Sequence, residues 1–193
     1  MKKLRNTVGI FIIGMNPTMQ TRPYTFLENT SLALAILMFG IMAGFFWTYT
    51  FNVNLATAQL DGASYARVQS LFNVNVRHAM FFSFFFGSAV VAVLALLLNY
   101  RHYRSPSFWL LASAALLYVL GIILFTKFIN LPLNYYTESW NPELLPSDWE
   151  ATRQAWNEAN TGRVFISALV FVLSLTALLL RSLNPYSKAE ATR

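Results

Sequence analysis

Residues 79–100 read AMFFSFFFGSAVVAVLALLLNY, without a single charge. A helix rises about 1.5 Å per residue, so roughly 20 apolar residues cross the hydrocarbon of a bilayer. A soluble helix would show a polar face, and this run has none to show. The stretch predicts a membrane-spanning helix, and the rest of the chain has to be read with lipid as the solvent.

Three more runs have the same character: about 31–51 (SLALAILMFGIMAGFFWTYTF), 107–128 (SFWLLASAALLYVLGIILFTKF) and 164–183 (VFISALVFVLSLTALLLRSL). Lys127 and Arg181 are the only charges among them, each near an end. Composition agrees. Of 193 residues 56% are hydrophobic and 11% charged, against about 25% charged in a soluble domain. Aromatics reach 16%, as in chains that gather rings at the headgroup level. Cysteine is absent, so the chain has no disulfide framework and no thiolate metal site. The formal charge of +6 reads as loops held in the cytoplasm and not as a nucleic-acid surface.

The basic residues orient the spans. Lys2, Lys3, Arg5, Arg22, Arg101, Arg104, Arg181, Lys188 and Arg193 fall on one side. Arg67, Arg77, Lys127, Arg153 and Arg163 fall on the other. The first group includes the short 101–106 loop, where the positive-inside bias is strongest. Both termini are therefore expected in the cytoplasm of a bacterial inner membrane, with loops 52–78 and 129–163 outside. Residues 1–30 read as a cytoplasmic or interfacial segment: MKKLRNTVGIFIIGM has a short apolar run and no cleavage site. Residues 31–183 form the membrane domain and 184–193 a cytoplasmic tail. The expected fold is all-α, an integral membrane four-helix up-down-up-down bundle with short helical extensions on the outer side. Gly40 and Gly44 are spaced for close packing, more within the bundle than between copies.

The outer loops carry helical rhythm. In DGASYARVQSLFNVNVRH (61–78), Gln69, Asn73 and Arg77 form an i, i+4 stripe, and Asp61 is placed to cap. This helix is expected to run on into the second span. Ser147-Asp-Trp-Glu150 reads as a capping box, after which Trp149, Arg153, Trp156, Asn160 and Arg163 share one face. Between them, FTKFINLPLNYYTESWNP (125–142) meets Lys127, Asn130, Pro132 and Asn134 at the outer end of the third span. Pro132 is expected to break that helix. Freed backbone at membrane depth survives only inside protein or beside water, so Asn130 and Asn134 either cap the broken end or face a ligand.

Most chemistries lack their residues. The two histidines, His78 and His102, are expected on opposite faces, with no His or carboxylate at ligand spacing, so no metal is expected. There is no nucleophile triad and no phosphate loop, and no cofactor is implied. No charge sits near the middle of any span, against a coupled transporter.

Four elements resemble a known family. GIMAGFF (40–46), FNVNVRHAMFF (72–82), INLPLN (129–134) and WNEANTGR (156–163) are similar, in order and place, to those of the anthrone oxygenase-like proteins. These are small four-helix membrane proteins, and the resemblance covers about residues 31 to 183. It implies oxidation of a tricyclic phenol by O2 without a metal. It also implies polar site positions at Asn73, Arg77, Asn130, Asn134, Trp156, Asn160 and Arg163. His78, where Asn or Asp is usual, and Ala159, where an aromatic is usual, depart from the pattern.

Such chemistry needs one base and a cationic pocket for the resulting anion. The expected roles are His78 as base, with Glu158 second, and Arg77, Lys127 and Arg163 as stabilisers of an enolate. Phe81, Phe82, Tyr135, Tyr136 and Trp156 would sandwich a flat ring. Expected partners are a lipophilic aromatic molecule and membrane lipid. A homo-oligomer or larger membrane complex is left open. The alternative is a non-catalytic ligand-binding or accessory subunit of such a complex.

Overall fold

A computed structural model describes residues 23–183. The expected segment at 1–22 and the tail at 184–193 lie outside the described residues. Five helices carry the fold: α1 (Phe26–Thr57), α2 (Gly62–Asn75), α3 (Ala79–Leu98), α4 (Pro106–Glu138) and α5 (Trp149–Ser182). All but α2 are long and apolar enough to cross a membrane. Among the described residues there is no strand, only an isolated bridge between Asn141 and Leu144.

Helix α5 packs against both α1 and α4, and α1 also packs against α3. The shared core is apolar and aromatic: Phe39, Met42 and Phe46 of α1, Phe85 of α3, Tyr118 and Ile122 of α4, Val164 and Val170 of α5. Tyr118 keeps its hydroxyl satisfied by donating to the Phe85 carbonyl at 2.9 Å. Leu37, Leu94, Leu116 and Phe165 stay exposed, the outward faces that lipid would cover. Gly40 is a packing glycine, since a Cβ there would stand 3.0 Å from the Phe171 ring of α5. Gly44 has no such neighbour within 4 Å.

One end of the bundle is tied by a polar knot. Thr25 and Glu28 form a capping box that starts α1. Buried Glu28 accepts from Arg101 at 2.6 and 3.0 Å. Arg181, near the end of α5, donates to the Glu28 carbonyl at 3.1 Å and to Ser107 of α4 at 3.0 Å. Asn99, just past α3, donates to that same carbonyl at 3.3 Å. Tyr24 lies 4.0 Å from the His102 ring and 4.3 Å beneath the Arg181 guanidinium. All four long helices thus meet at this end.

At the other end the helices are less regular. Helix α1 widens to π-helical hydrogen bonding over Tyr49–Val53, and α4 does so over Val119–Leu124 and Thr126–Asn130. The expected break at Pro132 does not occur. The wider turn precedes the proline, which then sits in the first turn of the α-helical stretch Leu131–Glu138. A missing N–H and a bulky ring are tolerated there, as they are at a helix start. Two further expectations are corrected. Helix α2 does not run into α3, because His78 takes an extended backbone and its Nδ1 accepts from the Phe81 N–H at 3.2 Å, capping α3 afresh. The box at Ser147–Glu150 does not form. Helix α5 starts at Trp149, and the preceding Asp148 instead accepts from the Tyr136 hydroxyl at 2.9 Å. Asp61 does cap α2, accepting from the Ser64 N–H at 3.0 Å.

Candidate functional site

The stripe on α2 folds inward because Gln69 and Asn73 find partners there. Gln69 donates to Asn73 at 2.9 Å, and Asn73 donates to Thr137 of α4 at 3.0 Å. Thr137 in turn donates to the Asn134 carbonyl at 2.9 Å. Helix α5 answers from the other side: Trp156 Nε1 donates to Asn134 Oδ1 at 2.6 Å. Polar residues from three helices therefore converge by hydrogen bonds between side chains, which fixes their positions more tightly than apolar packing does.

Beside this network lies a cavity of about 440 Å³. Its polar wall holds Asn73, Arg77, Lys127, Asn134, Trp156, Asn160 and Arg163. Its aromatic wall holds Phe45 and Tyr49 of α1, Phe72 of α2, and Phe81, Phe82, Phe85 and Phe86 of α3. Val76, Ile123, Thr126, Leu131 and Tyr135 complete it. The volume suits a molecule of a few fused rings, and the lining is mostly apolar with few polar groups, as small-molecule sites are.

Of the three cations that line this space, Arg77 and Arg163 are held differently. Arg77 pairs through both terminal nitrogens with Glu138 and lies 5.4 Å over the Tyr135 ring. Arg163 has no such partner. It is 8% exposed, and among the described residues no carboxylate lies within ion-pair distance. Its guanidinium donates to Asn160 Oδ1 at 2.5 Å and to Thr126 Oγ1 at 3.4 Å, and it stands 4.7 Å over the Phe46 ring. Asn160 is held in turn by Thr50 Oγ1 at 2.6 Å. Thr50 and Thr126 both lie in the widened turns of α1 and α4, so the two π-helical segments bracket Arg163. Such local distortions recur at functional sites. A buried guanidinium supported only by neutral oxygens and ring faces is poised to hold an anion.

The structure separates the expected site residues into two groups. Asn73, Arg77, Lys127, Asn134, Tyr135, Trp156, Asn160 and Arg163 share the cavity. His78 does not: it is exposed, and its ring caps α3. Glu158 is exposed too and accepts from Gln154 at 2.8 Å. Asn130 is 1% exposed and is absent from the cavity wall; neither polar atom of its side chain has a partner among the described residues. Tyr136 turns away to Asp148. Sequence reasoning missed Tyr49, Thr50, Thr126 and Glu138. The first three are placed by π-helical turns, for which no residue pattern in the sequence gave a cue.

A family model described as anthrone oxygenase matches residues 69–173, more than half of the 193-residue chain. The matched stretch begins at Gln69 on α2 and ends within α5, so it contains all seven residues of the polar wall. No curated protein and no solved structure matches the chain.

Proposed function

The chain belongs to the anthrone oxygenase family, and from that premise we propose that its cavity binds a flat lipophilic phenol or quinone-like molecule and oxidises it with O2. The observation that carries this reading is Arg163, a buried cation without a carboxylate among the described residues, at the wall of an aromatic cavity. A phenolic or enolic ligand lying against Phe81, Phe85 and Trp156 brings its oxygen toward that guanidinium.

The chemistry follows from charge. Arg163 stabilises the ligand's anion and lowers its pKa, so the proton leaves to water without a dedicated base. The negative charge is shared between the oxygen and the ring carbon that lost the proton. That carbon bonds to one atom of O2, and the resulting peroxide takes up a proton. Loss of water from the same carbon leaves a carbonyl. One O2 is consumed and one water released for each CH2 oxidised to C=O. The positive-inside bias of the basic residues supports placing this end of the bundle on the outer face of the plasma membrane, with both termini cytoplasmic.

A second reading has one observation in its favour. His78 and Glu158 both lie outside the cavity wall, so no expected base stands beside the ligand, as suits a binding protein without turnover. Purified protein in detergent, supplied with anthrone in air, separates the two. Oxidation predicts anthraquinone formation matched by O2 uptake, with Arg163→Met slower by about two orders of magnitude or more. Tryptophan quenching without product supports the binder. Neither signal would sink both readings.

A further inference from the structure

We infer that the cavity receives its ligand as a neutral, membrane-dissolved aromatic passing between α1 and α3, and that the anion forms only inside. This rests on the reading of the cavity given above and names the substrate class it admits: lipophilic phenols without a charged substituent.

The two walls of the cavity are closed by different forces. On the polar side, Asn73 donates to Thr137 and Arg77 pairs with Glu138, tying α2 to α4. Parting these leaves buried polar groups unsatisfied, which is costly. On the other side, Phe45 of α1 meets Phe81 of α3 with ring centroids 5.3 Å apart, and Phe82 and Phe86 follow. Phe45, Phe82 and Phe86 line the cavity and are 37%, 40% and 49% exposed, so no second layer of protein covers them. In lipid, apolar helices gain no hydrophobic stabilisation from each other, because acyl chains are equally good neighbours. A flat apolar ligand replaces a departing ring at little cost.

Helix α3 is built to yield there. Its backbone bonds continue through Phe86, but Phe86 also accepts from the Ala89 N–H at 3.1 Å, and Gly87 and Ser88 follow, the Ser88 hydroxyl donating to the Phe84 carbonyl at 2.5 Å. A Gly-Ser pair and a diverted backbone carbonyl are recognised sources of helix bending. A charged ligand would have to cross the same ring wall unsolvated, which its desolvation forbids.

The chain has no cysteine, so engineered crosslinks are unambiguous. The protein is placed in phosphatidylcholine vesicles, and binding of a neutral hydroxyanthraquinone is followed by tryptophan quenching in stopped flow. A disulfide in F45C/F81C, verified by mass, is expected to slow association about ten-fold or more relative to the same variant with the disulfide reduced. A disulfide in R67C/E143C, which ties α2 to the loop between α4 and α5 on the exposed surface, is expected to leave it within about two-fold. A sulfonated hydroxyanthraquinone is expected to bind the parent at least about ten-fold more slowly than the neutral one. Undiminished association in crosslinked F45C/F81C, or equal rates for the neutral and sulfonated compounds, would overturn the lateral route while leaving the cavity intact as a ligand site. Absence of quenching by either compound in the parent would overturn the ligand reading itself, and the route with it.

Discussion

Arg163 donates to Asn160 Oδ1 at 2.5 Å from one helical turn further along α5, and Asn160 is itself anchored to Thr50 of α1 at 2.6 Å. The cation is positioned by an amide, not neutralised by a carboxylate. Stability and function should therefore separate at this pair.

Asn160→Ala removes a hydrogen bond to a charged group and leaves the guanidinium worse solvated, at a cost of about 2 kcal/mol. Arg163→Met removes the buried charge and keeps an apolar side chain of similar reach, so it should cost less or even stabilise. Thermal unfolding in detergent should rank Arg163→Met above Asn160→Ala. Ligand quenching should rank it below. A methionine variant that unfolds earliest would show that the guanidinium is a structural group.

Replacing His78 tests the corrected placement. Its imidazole accepts from the Phe81 N–H and is absent from the cavity wall. His78→Ala should lower stability by up to about 1 kcal/mol through the lost cap. It should leave the ligand affinity within about two-fold, because no cavity contact is removed. A loss of binding as large as that of Arg163→Met would restore His78 to the site.

His102 gives the chain an acid limit. Burial holds its pKa below the ordinary imidazole range, with Arg101 and Arg181 adding to that effect and Glu28 opposing it. The 3.4 Å approach of His102 to Glu28 is therefore read as a neutral contact and not an ion pair. The unfolded chain binds the proton more readily than the folded one. This contribution is thus complete above about pH 6.5 and is lost as pH falls through the lower folded value. Melting temperature should decline on acidification below about pH 6.5. His102→Gln should flatten that decline, and an unchanged slope would assign it to other groups.

Two glycines should behave oppositely. A Cβ at Gly121 would stand 2.7 Å from Ile166 Cγ2, where α4 crosses α5, whereas at Gly44 nothing lies within 4 Å. Gly121→Ala should destabilise by about 1–3 kcal/mol through overpacking. Gly44→Ala should be neutral or stabilise by up to about 1 kcal/mol, through the better helix propensity of alanine. Unfolding curves for the two variants in one detergent would settle the sign of each.

The spans are legible in the sequence because lipid imposes one simple demand, a long uninterrupted apolar run. Gln69–Asn73 and Trp156–Asn160–Arg163 are legible because both lie on regular helix, where spacing maps directly to a face, whereas Arg77 lies just past the end of α2. Pro132 misleads, since widening of the turn before it is a cooperative adjustment of a whole helix against its neighbours. Asn130 ends the same widened stretch and lies outside the cavity wall. Glu28 and Arg181 are 153 positions apart, and their meeting depends on the completed bundle. Neither carries a local signal of it.

The knot around Glu28 has a mechanical consequence. It fastens all four long helices at one extremity with directional bonds, while toward the opposite extremity α1 and α3 meet through the Phe45 and Phe81 rings. The molecule is therefore a tweezer whose fulcrum is ionic. If guests enter between those rings, as proposed above, weakening this base should blunt the whole tool even though no guest touches it.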